Sequence, residues 1–271
     1  MGPIGFTWDS KNYSCSYDAL FTILYNIWIQ TPRDFYTRIA MRNSFMTHLE
    51  DLFRDMRDNH ISPEDARNII RPSIHNYNPD YFPWGKKGVN MVHLSELFFK
   101  IRAKIIAYKY FRCTSCSSNY TETIDSFLFV QLHQFEGTST QKWCNFLTNN
   151  NPSSQICNNC NQNMMAYMEF SRLPALLALD VYAQNTSISH KLSVKIWDEP
   201  KTLRLAGIIY LGKGHFTARI VDKNKEVWWH DGMTTQNKCK NEGNLQNITP
   251  QKLKNLKGRK ACLVVYEACT K

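Results

Sequence analysis

The chain has 271 residues, 43% of them apolar and 13% aromatic, which excludes wholesale disorder and allows one large domain or two small ones. It carries no apolar run of eighteen residues and no signal-peptide order at its N-terminus, so a soluble protein without a membrane partner is expected, intracellular and either cytoplasmic or nuclear. A net charge of +10 points first to nucleic acid, but Lys and Arg are spread along the chain; the one dense run, Lys252 to Lys260, is interrupted by Leu253 and Leu256 and reads as the solvated face of a short helix.

From Asn12 to Trp28 a single cysteine, Cys15, opens a helical pattern. Ala19, Leu20, Ile23, Leu24, Ile27 and Trp28 lie on one face, and Phe21 and Tyr25 widen it until the helix reads as buried almost all round. A thiol in a first turn faces unpaired backbone N–H groups, which favour the nucleophilic thiolate. Thr31-Pro32 offers a helix start, with an amphipathic pattern from about Phe35 to Met56, and Ser62-Pro63-Glu64-Asp65 offers another. Pro72, Pro79 and Pro83 are expected to break the pattern, leaving Tyr77 to Gly88 as an irregular loop before a helix from Met91 to about Lys100.

The middle third holds two close cysteine pairs, Cys113-Thr114-Ser115-Cys116 and Cys157-Asn158-Asn159-Cys160. Two residues between thiolates let both reach one ion from a tight turn, and four thiolates close a tetrahedral zinc site with no position for water. Structural zinc is therefore expected, in a reducing compartment. Cys144 and His133 are the reserve ligands. Between the pairs, Ile124, Phe127, Phe129, Val130 and Leu132 read as strand, and Thr138 to Ser154 as an exposed loop or hairpin tip.

The last third reads as β-rich, with short runs at Leu173 to Tyr182, Leu192 to Ile196, Leu203 to Tyr210, Phe216 to Val221, Val227 to Trp229 and Ala261 to Tyr266. Gly214-His215-Phe216 puts a histidine at a strand start, just after a glycine-bearing turn. Trp228-Trp229-His230-Asp231 follows a turn at Asp222 to Lys225, so a hairpin brings Asp231 back beside His215. The carboxylate then binds one ring nitrogen while the other faces Cys15. Asp222, at the turn, ranks far below Asp231.

In this order, Cys15, the two Cys-x-x-Cys pairs, Leu173-Pro174-Ala175-Leu176-Leu177, Gly214-His215-Phe216, Trp228 to Asp231 and Val264-Val265-Tyr266-Glu267 resemble the ubiquitin-specific protease family over nearly the whole chain. The resemblance implies an α+β, papain-like cysteine protease fold in one catalytic domain: a helical thumb over 1–107, zinc-binding β fingers over 108–172 and a β-rich palm over 173–271. It implies a cysteine isopeptidase acting after the C-terminal Gly-Gly of ubiquitin, with ubiquitin or a ubiquitin-like modifier and its conjugates as partners. SUMO is the alternative modifier; an inactive binder and a zinc-stabilised nucleic-acid module rank lower. Where the family usually has an asparagine three residues after the nucleophile this chain has Asp18, which is more similar to the SUMO-isopeptidase branch and to related transposon-carried proteases. Ser10 stands where the family's oxyanion asparagine usually lies, with Asn12 three residues before Cys15, so Asn12 and the Cys15 backbone N–H are the candidate donors.

Overall fold

The computed structural model describes residues 2–102, 104–129, 138–182, 186–197 and 199–269. Helix α1 (Cys15–Trp28) is buried along its whole length. It lies on the palm sheet where Gly207 presents no side chain; a Cβ there would sit 2.7 Å from Ile23 Cγ1 and Cδ1.

Four more helices pack around it: α2 (Pro32–Arg38), α3 (Ser44–Arg57), α4 (Pro63–Tyr77) and α5 (Met91–Phe99). The amphipathic stretch from Phe35 to Met56 is thus two helices rather than one. Asn43 breaks it in extended conformation, capping α3 through Met46 N–H and donating from its amide to Leu97 O and Lys100 O. Pro72 does not break α4. The helix runs through it because Ala66, Arg67, Ile70, Arg71 and Ile74 form a buried face, and that packing outweighs one lost backbone hydrogen bond.

Strands β1 (Ala107–Cys113) and β2 (Asn119–Ile124) form one hairpin, and β4 (Asn151–Ile156) and β5 (Asn163–Phe170) another; with β3 (Leu128–Phe129) set aside for the palm, they make a four-stranded sheet in the order β2-β1-β5-β4. The loop expected over Thr138 to Ser154 instead contains α6 (Thr140–Thr148) and the start of β4. Ser139 caps α6, and burial of Trp143 and Cys144 holds it to the core. Val130, Leu132 and His133 lie outside the described residues.

The palm sheet is built from β6 (Leu176–Asp180), β7 (Lys191–Ile196), β8 (Glu199–Gly212), β9 (His215–Val221), β10 (Glu226–His230), β11 (Lys240–Asn244), β12 (Asn255–Leu256) and β13 (Arg259–Ala268). Its order is β11-β10-β9-β8-β13-β6-β3, with β7 on β8 and β12 on β13. The lysine-rich run Lys252 to Lys260 is not a helix face: one 3-10 turn, Lys252–Lys254, leads into the β12–β13 hairpin, because Leu253 and Leu256 are both buried under the sheet. One apolar core joins helices and palm, while Phe111, Cys113, Cys157 and Met164 form a separate small core in the fingers. No described helix is long and apolar enough to cross a membrane.

Candidate active site and metal centre

Cys15 is the first residue of α1 and is 7% exposed. The turn before it is wired from within. Ser14 Oγ accepts from Asp9 N–H at 2.7 Å and donates to the Asp18 carboxylate at 2.6 Å, so it serves the loop and the helix together. Asp9 accepts from Lys11 N–H and from the Asn12 side chain at 2.8 Å, which holds its carboxyl below its usual range against partial burial. Asn12 therefore lies in the turn ahead of the thiol, its amide fixed through Asp9.

Two arginines one helical turn apart on α4, each 2% exposed, anchor this turn from outside. Arg67 Nη1 donates to Asp18 Oδ1 at 2.7 Å and to Ser14 Oγ at 3.3 Å, and also to Thr7 O. Arg71 donates to Asn12 O at 2.7 Å, with its guanidinium between the rings of Tyr17 and Trp84. Burial pushes the Asp18 carboxyl up to about 7, against the pull of Arg67 and Ser14. Asp18, three residues after Cys15, is thus the partner of a buried arginine.

Across from the helix, β8 turns into β9 through Lys213-Gly214, both at positive φ (53° and 70°), and Gly212 pairs with His215. This two-residue turn of type I′ places His215 directly at the strand start. Val227 to His230 of β10 pair with Val221 to Ala218, returning Asp231 to the same end of the sheet. His215 Nε2 meets Asp231 Oδ1 at 2.9 Å, and Cys15 lies near enough to the ring to raise its proton affinity. Burial alone lowers the imidazole's proton affinity. The bond to Asp231 and the proximity of Cys15, with their negative charge, outweigh it and raise His215 to about 9.

Asp231 is fixed in its turn: it accepts from Met233 N–H at 3.1 Å and Thr234 Oγ1 at 3.2 Å, with Arg259 Nη2 3.6 Å away. Burial would raise its carboxyl; the hydrogen bond and charge of His215, helped by Met233 N–H and Arg259, outweigh that and keep it below the usual range. Gly232 lets the N-terminal segment pass, since a Cβ there would lie 2.7 Å from Phe6 O. Trp8 on that segment packs edge-on against His215, with ring centres 6.1 Å apart. Asp222 instead caps its own turn, accepting from Asn224 and Glu226 N–H and from the Trp228 indole.

His215 and Asp231 are therefore paired with Cys15 close to the ring, and Asn12 lies in the turn before Cys15, bound to Asp9 and Arg71. Sequence reading missed Arg67 and Arg71. The signal was present: both fall on the apolar stripe of an amphipathic helix, where an unpaired cation is not tolerated.

In the fingers, each cysteine pair sits in a knuckle of the same shape. Cys113 N–H bonds Ser118 O and Ser117 N–H returns to Cys113 O; Cys157 N–H bonds Gln162 O and Asn161 N–H returns to Cys157 O. Ser117 and Asn161 occupy matching positive-φ positions. The four sulfurs lie within 4.8 Å of one another, with Cys113 to Cys160 at 3.4 Å and Cys116 to Cys157 at 3.5 Å. A tetrahedron with zinc–sulfur bonds of about 2.3 Å has sulfurs about 3.8 Å apart, so the cluster fits a structural zinc site. Backbone N–H groups of the first knuckle hold the Cys113 thiol below its usual range, and those of the second do the same for Cys157. Zinc bound by these four cysteines would tie the two hairpins together, a structural rather than a reactive role. Cys144, the reserve ligand, is buried away in α6.

The sequence matches no family model and no curated protein. Solved structures do match. The SAGA DUB module Ubp8/Sgf11/Sus1/Sgf73 bound to monoubiquitin aligns at a TM-score of 0.62 with 10% identity, over 98% of this chain and 69% of that one. This is a ubiquitin-protease-like fold. The same module bound to ubiquitin aldehyde gives 0.62 and 10% identity, covering 98% and 70%, and the yeast SAGA DUB module with an Sgf73 mutant gives 0.56 and 12%, covering 98% and 68%.

Proposed function

We propose that this chain is a thiol-dependent isopeptidase that hydrolyses the bond after the C-terminal Gly-Gly of ubiquitin. The observation that carries it is the Cys15–His215–Asp231 arrangement, set at a buried helix start in a ubiquitin-protease-like fold. Residues 1–107 act as thumb, 108–172 as zinc-bearing fingers except that β3 and α6 join the palm, and 173–271 as palm.

The His215 ring takes the proton of Cys15, and the sulfur attacks the glycine carbonyl. The Cys15 backbone N–H and the second amide hydrogen of Asn12 meet the oxyanion. Asp231 holds Nε2–H, so that Nδ1 faces the sulfur, and stabilises the imidazolium. His215 then protonates the departing lysine amine, and water releases the thioester. A cavity of about 720 Å³ between α3, α5 and the base of the fingers is lined by Glu96 and Asp125 together with Lys100 and Arg102; its two carboxylates are the groups that could meet the arginines of a ubiquitin tail. The test is a ubiquitin probe with a C-terminal electrophile: one probe per chain attached at Cys15 supports the reading, and non-covalent binding without labelling leaves an inactive binder. Labelling by a SUMO probe alone would move the activity to that modifier.

A further inference from the structure

We infer that the palm edge beside His215 is a docking rim for carboxylate-bearing polypeptide, so that the preferred conjugates carry Asp and Glu around the lysine that leaves. The inference rests on the proposed isopeptidase activity and names the class of acceptor.

Two hairpins end side by side at this edge. The β8–β9 turn is Lys213-Gly214, and the β12–β13 turn is Lys257-Gly258, whose φ angles of 48° and 78° repeat the same type I′ geometry. β13 pairs with β8, Lys260 opposite Leu211, and Arg259 fills the space a side chain at residue 212 would need, its Cγ 2.7 Å from a Cβ there. Since Gly212 pairs with His215, both Lys-Gly turns share one edge with the histidine. Lys257 Nζ lies 3.0 Å from the ring centre of Trp229, two residues before Asp231, and Lys240 Nζ lies 5.7 Å from the same ring. Arg259 reaches Asp231, and its buried Nε has no partner.

The charges there do not cancel. Lys213, Lys240, Lys257 and Lys260 are exposed and make no ion pair among the described residues. Of the carboxylates on the facing elements, Asp231 is paired with His215 and Glu242 with Arg219 at 2.6 Å; Glu226 sits at the other end of β10 from His230, and Asp9 is held by Asn12 in the turn before Cys15. Clustered cations repel one another and gain from a carboxylate partner, which also speeds encounter. The modifier tail of the proposed substrate is itself basic, so these cations fall to the other partner, the acceptor. Lysine covers Trp229, the aromatic ring at this edge, which argues against base stacking and therefore against single-stranded nucleic acid.

The experiment uses the whole chain with ubiquitin joined by an isopeptide bond to acceptor peptides that differ only in flanks of Asp/Glu or Ala. At low salt the acidic acceptor should give kcat/KM at least tenfold higher. That ratio should shrink to under twofold at 1 M salt, where the screening length drops to about 3 Å. Lys213→Glu with Lys257→Glu should abolish the ratio; if that variant does not fold, the salt series on the unaltered protein decides. Equal rates at low salt, or a ratio indifferent to salt, overturns the inference. A salt-sensitive gain seen only when SUMO replaces ubiquitin on a constant acceptor would assign the rim to the modifier and overturn the acceptor assignment. Competition by duplex DNA stronger than by the acidic peptide would overturn it in favour of nucleic acid. Anisotropy with the acidic peptide alone and the Cys15→Ala protein reads the rim without turnover, separating its failure from failure of the protease reading.

Discussion

At the scale of single residues, the buried pair Asp18–Arg67 and the His215–Asp231 pair behave differently. Arg67→Met would strand a buried carboxylate, which costs about 3–5 kcal/mol, whereas adding Asp18→Asn to it should recover most of that loss; denaturant midpoints for both singles and the double form the cycle that checks it. Asp231→Asn keeps the shape but loosens the ring's tautomer, so kcat should fall by roughly 10²–10⁴-fold with little change in melting temperature. The imidazolium also sets a pH window. His215 sits at about 9 in the folded chain against an ordinary value near 6.5, so the stability it contributes is complete below pH 6.5 and lost as pH rises through about 9. Activity that needs His215 as acid for the leaving amine should decline over that same upper limb, and in Asp231→Asn the decline should begin at lower pH; kcat/KM measured from pH 6 to 10 tests both.

Among elements, the contact of α1 with β8 sets the distance between nucleophile and base. Gly207→Val drives two methyl groups into Ile23 and should cost about 1–3 kcal/mol while cutting kcat at least tenfold, with Ile23→Ala restoring part of each. α1, its cysteine and the two knuckles were legible in the sequence because each rests on local pattern: an apolar run, a cysteine spacing, a strand beginning after Gly214. The His215 hairpin was legible for the same reason, since a turn at Asp222 to Lys225 fixes which residue returns opposite which. What escaped was decided at a distance. The break at Asn43 depends on carbonyls at the end of α5, the passage of α4 through Pro72 depends on arginines whose partners lie some fifty residues earlier, and α6 forms because Trp143 finds the palm core. The lysine run misled because its charges were visible and the burial of Leu253 and Leu256 was not.

For the whole molecule, one core spans helices and palm while the fingers carry their own small one. Zinc removal should therefore unfold the fingers at chelator concentrations that leave the main melting transition in place; elemental analysis should return one zinc per chain before treatment, and loss of modifier binding should track loss of metal. On the proposed reading, the modifier is chosen at short range. Charge spread over a surface alters encounter rates and is screened beyond about 10 Å at ordinary salt, whereas tail contacts discriminate. Matched fluorogenic substrates should show a large preference for ubiquitin over SUMO, one that Glu96→Lys with Asp125→Lys erodes.

The two-residue link between β8 and β9 also bears on timing. With two residues between the paired Gly212 and His215, this link is too short to fold down over the thiol and lift away again. Among the described residues, this turn does not have to swing shut before the first bond is made. The rate at which a small alkylating agent modifies Cys15 should therefore rise linearly with its concentration, without the plateau that a slow opening step would impose.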